Sequence, residues 1–233
     1  MNIPALLRSF APHRSPAPFA ERLRSGFAGG LGIFLLAWAL HLLPQPDLPL
    51  LLLGSMAASA VLLYAVPHSP LAQPWNLIGG HLVSALAGWI TISFVHDPLT
   101  AAGIAVGSAI FLMYLLDCLH PPGAATALTL VLGATQFLQM GAGWTLTIVG
   151  ANAFISLLLA LTINNALPRR HYPQAPAAPA PHPPAMRVLP EQQDIERALA
   201  EEDSLLDIST DDLLALYGRA QRHAQARFES AAR

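Results

Sequence analysis

All twelve basic side chains are arginines, and each lies either at or before Arg24 or at or after Arg169. Between those limits the only groups able to carry charge near neutral pH are Asp47, Asp97, Asp117 and the histidines His41, His68, His81, His96 and His120. The block is long enough for about six helices of the roughly 20 residues that crossing a bilayer requires. Charged residues make up 11% of the chain and hydrophobic ones 54%, whereas a water-soluble domain carries about 25% charged residues. The expected fold class is therefore all-α: a polytopic membrane helix bundle of about six spans, with the lipid bilayer as its first partner.

Prolines and short polar clusters divide the block. Spans are expected at about 26–43, 48–66, 76–95, 99–119, 122–138 and 143–164. Their separators include Pro44-Gln-Pro-Asp47, the three-proline loop Pro67–Pro74 and the turn His96-Asp97-Pro98. Trp75 and Trp144 suit the bilayer interface at the start of the third and sixth spans. Arginine precedes the first span and follows the sixth, as Arg169 and Arg170, and is missing from every loop between. Positive flanks stay cytoplasmic, so both termini are expected inside a bacterial inner (plasma) membrane. That requires an even number of crossings: six, or four with two re-entrant segments. Glycine and alanine are frequent within the spans, as in Ala28-Gly-Gly-Leu-Gly32 and Gly79-Gly80. Such residues let membrane helices approach closely and make a homo-oligomer plausible.

Outside the block, residues 1–25 read as a polar cytoplasmic arm with a short amphipathic stretch, without the compact apolar run of a cleavable signal. Residues 169–190 read as a Pro/Ala-rich linker. Residues 191–233 read as two short soluble helices, the second capped by Ser209 and carrying Leu213, Leu214, Leu216 and Tyr217 on its apolar side. They are too small to be stable alone and need a surface to dock on. No folded region carries a basic stripe, so nucleic acid is not an expected partner. The lone Cys118 excludes an internal disulfide and a cysteine metal cluster; no metal or other cofactor is expected.

The chemistry is concentrated in Asp117-Cys-Leu-His-Pro-Pro-Gly-Ala-Ala-Thr-Ala-Leu-Thr-Leu130. A residue before proline is pushed out of the α region, so a helix arriving through Leu115 should stop near Leu119 or His120. Pro121 and Pro122 then open a new helix, in which Pro122 fits the first turn. Backbone N–H groups of Gly123, Ala124 and Ala125, with the Thr126 hydroxyl, would face an anion at that positive terminus. Broken helices at membrane depth occur where protein packs around them or a cavity runs beside them. Ala57-Ala-Ser-Ala-Val-Leu-Leu63 also matches Ala124-Ala-Thr-Ala-Leu-Thr-Leu130, pairing Ser59 with Thr126. Two units of three spans would run in opposite directions, a candidate 3+3 inverted repeat with interrupted helices.

Leu119-His-Pro-Pro-Gly-Ala-Ala-Thr-Ala-Leu128, with Ala58-Ser-Ala-Val-Leu-Leu-Tyr64, Ser69-Pro-Leu-Ala-Gln-Pro-Trp-Asn76 and Gly79-Gly-His81, resembles the HPP family of integral membrane proteins over about residues 20–168. The resemblance implies a substrate class, because plant and cyanobacterial members are described as nitrite transporters. Many bacterial members continue into paired nucleotide-sensing CBS modules; the expectation for this chain, which ends at Arg233, is that it lacks them.

The candidate substrate-binding residues are His120, Pro121, Pro122, Gly123, Ala124, Thr126, Ser59 and Asn76. His120 and Asp117 are candidates for proton coupling. Intramembrane ionisable groups are functional by default, and a histidine can donate to an anion or accept a proton. Asp117, three residues earlier, either pairs with His120 on one helix face or faces a polar loop. Gly123 serves a ligand or a turn, and Asn76 binds or caps. Gln73 and His81 add polar groups near the third span's start. No His-Glu-x-x-His, phosphate loop or nucleophile elbow is present, so no enzyme is expected. The expected function is a transporter or channel for a small inorganic anion, nitrite first. The alternative is a membrane-anchored sensor or interaction protein acting through its C-terminal helices.

Overall fold

A computed structural model describes residues 18–42, 52–168 and 170–174, together with Leu213, Tyr217 and Gly218. Most of the N-terminal arm, most of the Pro/Ala-rich linker and most of the two C-terminal helices lie outside the described residues.

Prolines set where three of the helices begin. The order is α1 (Phe19–His41), α2 (Ser55–Ala65), a 3-10 turn (Pro70–Ala72), α3 (Pro74–Phe94), α4 (Pro98–Leu115), α5 (Pro121–Leu132) and α6 (Ala134–Ala166). α3, α4 and α5 each carry proline in the first turn, where its missing N–H costs no helical bond. Asp97 caps α4 by accepting from Thr100 N (2.8 Å) and Thr100 Oγ1 (2.6 Å), and these bonds hold its carboxyl below the usual carboxylate range. Among the described residues the fold is all-α, as expected.

Four helices, α1, α3, α4 and α6, are long and apolar enough to cross a membrane. Their outward faces carry exposed Phe27, Phe34, Ile90, Phe111 and Phe154, which suits lipid and not water. Exposed Trp75 and Trp144 stand near the starts of α3 and of the second part of α6, as an interfacial residue would. α2 and α5 are different. With 11 and 12 residues they rise about 17 and 18 Å, against about 30 Å of hydrocarbon. The expected full spans at 48–66 and 122–138 are thus corrected to short helices at 55–65 and 121–132. α1 also starts earlier than expected, at Phe19, and α6 contains a second break at Gly141, whose φ of 78° lies in the region open to glycine.

The order long, short, long therefore occurs twice, and the two short helices run antiparallel. Ser55 of α2 meets Thr126 of α5, while Ser59, further along α2, meets His120, further back on the chain. The candidate inverted repeat has this arrangement. The short α2 leaves backbone groups that its own ladder cannot satisfy, and α6 supplies the partners. Asn152 Oδ1 accepts from Leu53 N at 3.3 Å, and Asn164 Nδ2 donates to Leu63 O at 3.0 Å.

α3 forms the centre, packed against α4, α5 and α6. Its glycines permit this. A Cβ on Gly80 would lie 2.5 Å from His120 Cβ, and one on Gly88 would lie 3.0 Å from Ala127 O. Gly123 of α5 answers from the other side: its Cβ would lie 2.7 Å from Gly80 O. A Cβ on Gly26, Gly30, Gly103, Gly107 or Gly143 would meet no other part of the described chain within 4 Å, so close packing explains only some of the glycines.

The start of α1 and the end of α6 meet at one end of the bundle, which we call basal. There the buried Arg170 bonds to Glu21, to Ser25 Oγ (2.8 Å) and to Asn164 Oδ1 (3.3 Å). The chain continues as a strap over the 3-10 turn. Tyr172 is buried, donates its hydroxyl to Ala72 O at 2.8 Å, and exchanges two hydrogen bonds with Asn165. Burial pushes its hydroxyl pKa up. Gln174 N donates to Gln73 Oε1, whose amide nitrogen holds Pro67 O and Ser69 O.

Candidate functional site

The break between α4 and α5 falls where the two prolines require it. α4 ends at Leu115, Asp117 takes a φ of 50°, and His120 is extended (φ −136°, ψ 100°) as a residue before proline must be. The corner is tied to α3: Trp75 Nε1 donates to Leu116 O at 3.2 Å and Asn76 Nδ2 to Leu119 O at 2.9 Å. Cys118 and His120 are both fully buried.

Behind the corner lies a buried polar cluster drawn from α2, α3 and α5. Ser55, Ser59, His81, His120 and Thr126 are all 2% exposed or less. Ser59 Oγ sits 2.9 Å from His81 Nε2 and 2.9 Å from His120 Nε2. Two imidazole nitrogens thus converge on a single oxygen, with the rings edge-on and their centroids 5.0 Å apart. His81 Nδ1 meets Thr126 Oγ1 at 2.7 Å, and Thr126 is hydrogen-bonded to Ser55 Oγ at 2.8 Å. His120 Nδ1 meets Leu71 O in the 3-10 turn at 2.8 Å. Among the described residues the one buried side-chain nitrogen or oxygen without a partner is Trp89 Nε1, so every member of the cluster is satisfied.

Counting hydrogens assigns the tautomers. A carbonyl only accepts, so His120 Nδ1 carries its hydrogen and a neutral His120 presents a lone pair at Nε2. Ser59 Oγ is placed to donate to that lone pair at 2.9 Å, nearer than the Ser55 carbonyl it also reaches at 3.3 Å. Thr126 gives its one hydrogen to Ser55 Oγ, so His81 Nδ1 donates to Thr126 and a neutral His81 also presents a lone pair at Nε2. With both histidines neutral, the Ser59 oxygen faces two imidazole lone pairs at 2.9 Å each, with the Ser55 carbonyl a third acceptor at 3.3 Å.

Of the residues singled out in the sequence, His120, Ser59 and Thr126 come together here. Pro122 and Gly123 are buried beside them, Ala124 is partly buried, and Pro121 is exposed. Several expectations need correction. Asp117 does not share a helix face with His120, because α4 has ended and the positive φ turns it out to an exposed position. The Gly123 N–H is not free for a ligand: it donates to His120 O at 2.7 Å, and neither proline before it has an N–H at all. Gly123 serves helix packing, and Asn76 holds the corner instead of capping α3. His81 and Ser55 are the additions. The sequence signal for His81 was an ionisable side chain inside an apolar helix, preceded by two glycines. Among the described residues no group of three or more His, Cys, Asp or Glu side chains could hold a metal ion.

Comparison with known proteins agrees with this architecture. A curated transmembrane protein of Dictyostelium discoideum is 40% identical over 166 residues, covering 69% of this chain and 58% of its own length. A second transmembrane protein of that organism is 40% identical over 147 residues, covering 61% of this chain and 47% of its own. The chain thus spans about half the length of the curated relatives it matches. No solved structure matches it. Residues 14–173 match the family described as HPP, transmembrane region, which takes in all six helices and the histidine pair: this chain is a membrane protein of the HPP family.

Proposed function

We propose that the protein carries a small inorganic anion, nitrite first, through a bacterial inner membrane, with both termini in the cytoplasm. The observation behind this reading is the oxygen atom held by His81 Nε2 and His120 Nε2 at 2.9 Å each. An oxyanion oxygen that displaced the Ser59 hydroxyl would meet the same two nitrogens. The N-terminal halves of α2 and α5 cross at this level in opposite directions, so two positive helix ends flank the position. Asp117, the carboxylate nearest in sequence among the described residues, is exposed, which suits an anion at the buried pair. The full burial of the pair fits a carrier whose site is closed between its two open states.

Purified protein in liposomes is expected to take up nitrite faster than protein-free vesicles. His120→Ala removes one of the two nitrogens and should slow uptake about 10- to 100-fold, the value of one charge-assisted hydrogen bond of about 1.5–3 kcal/mol. Equal uptake by both proteins would dismiss the site, and no uptake by the wild type would dismiss the substrate.

The strap favours a second reading, a membrane-anchored sensor, because Tyr172 binds the carbonyl next to the one that holds His120. Deleting residues 175–233 separates the two: a transporter keeps at least about half of its flux, whereas a sensor loses its output.

A further inference from the structure

The cover over the histidine pair is uneven. Away from the basal end the pair lies under Leu53, Met56, Ala127 and Leu130, all buried in the main apolar core. Toward the basal end a single layer covers it. Leu71, whose carbonyl accepts from His120 Nδ1 at 2.8 Å, is already partly exposed, and Pro70 before it is exposed. Resting on the transport reading above, we propose that the 3-10 turn Pro70–Ala72 is the gate through which the site opens at the basal end. The strap 170–174 is the latch that holds it shut.

The turn is built to move as one piece. Pro67, Pro70 and Pro74 fix their own backbone angles and have no N–H to tie them elsewhere. Its internal bonds are local: Ala72 N donates to Ser69 O at 3.0 Å, and Gln73 Nε2 donates to Pro67 O at 3.1 Å and Ser69 O at 2.9 Å. Among the described residues, two sets of hydrogen bonds hold it in place, on consecutive carbonyls. His120 holds Leu71 O from the side of the site. Tyr172 holds Ala72 O at 2.8 Å from the strap, and Gln174 N adds a bond to Gln73 Oε1 at 3.0 Å.

The joint between strap and turn is the one that yields. The strap is anchored to α1 by the charged pair of Arg170 with Glu21, and to α6 by the two bonds between Tyr172 and Asn165. The turn is attached to the strap by two neutral hydrogen bonds, each weaker than a charge-assisted one. The strap therefore stays on the bundle when the turn leaves it. Ser59, His81 and His120 have no exposed surface, so an anion reaches them only after a covering segment has moved. Outward movement of the turn takes away the Leu71 carbonyl and opens the side of His120 that it covered.

The test follows modification of His120 by diethyl pyrocarbonate in the full chain, read by mass spectrometry with the exposed His96 as reference. Tyr172→Phe keeps the ring and loses the hydroxyl. It should speed the reaction about fivefold, the worth of one neutral hydrogen bond. A folded Tyr172→Phe protein that reacts at the wild-type rate would overturn the latch. The second variant, Gln73→Cys/Gln174→Cys/Cys118→Ala, is bridged by a short bis-methanethiosulfonate. The bridge should suppress both His120 modification and nitrite uptake in liposomes, and dithiothreitol should restore both. Because bridged and released forms are the same chain, this comparison decides if Tyr172→Phe merely unfolds the protein. Unchanged His120 modification under the bridge overturns the gate, and so does nitrite uptake that continues at the released rate. Suppressed modification in a protein that moves no nitrite in either form upholds the gate and dismisses the transport reading.

Discussion

Gly123→Ala is expected to lower the stability of the bundle by about 3 kcal/mol, the upper part of the range for forcing one methyl group into a filled interior. The new Cβ would meet Gly80 O at 2.7 Å, Ser84 Oγ at 2.9 Å and Gly80 C at 3.0 Å. Two of those atoms are backbone of the central helix and cannot rotate aside, so α5 as a whole must retreat from α3. Gly80→Ala should be equally costly, since its Cβ would meet His120 Cβ at 2.5 Å and Cys118 O at 3.1 Å. The control runs the other way. Gly103 and Gly107 on α4 have nothing within 4 Å, so alanine there gains helix propensity, up to about 1 kcal/mol, without a clash. Thermal unfolding in detergent would show the contrast: a lower Tm at 80 and 123, an equal or higher one at 103 and 107. If all four variants unfolded together, the close packing of α3 on α5 would be wrong.

The second large effect is expected at the basal end. Arg170→Ala removes a guanidinium that is 4% exposed and leaves Glu21, Ser25 Oγ and Asn164 Oδ1 without their shared donor. Breaking a buried pair from one side costs about 3–5 kcal/mol. The Glu21 side chain is 27% exposed and regains some water, which places the loss near 3 kcal/mol or just below. Arg170→Lys should recover only part, because an ammonium lacks the planar fork that reaches three partners at once. The sensitive measurement is limited proteolysis at residues 170–174 together with Tm; protection equal to wild type in Arg170→Ala would remove the clasp from the description.

Much of this fold was legible in the chain because prolines act locally. Pro74, Pro98 and Pro121 fixed the starts of three helices to within two residues of expectation, and the pair at 121–122 placed the break before α5. The lengths of α2 and α5 were harder to read. Leu52 and Leu53 are as apolar as the helix that follows, and only Asn152, 99 positions from Leu53, makes their non-helical backbone affordable by accepting its N–H. Gly133 ends α5 inside a stretch expected to continue as one span to 138, whereas the kink at Gly141 falls in the gap expected between 138 and 143. At the site, the pairing of Ser59 with Thr126 led to the right pair of helices. It could not show that His81 lies between them, because that position depends on how α3 rotates against both. Of the two places the sequence left open for Asp117, beside His120 or on a loop, the structure takes the loop: three residues share a face only while the helix lasts, and this one had already stopped.

The basal strap has a mechanical consequence. Tyr172 grips the peptide unit next to the one that fixes His120, and Gln174 grips the residue after that. A tug on the polypeptide that follows would therefore reach the imidazole's anchor through a lever one residue long, before any helix has to tilt.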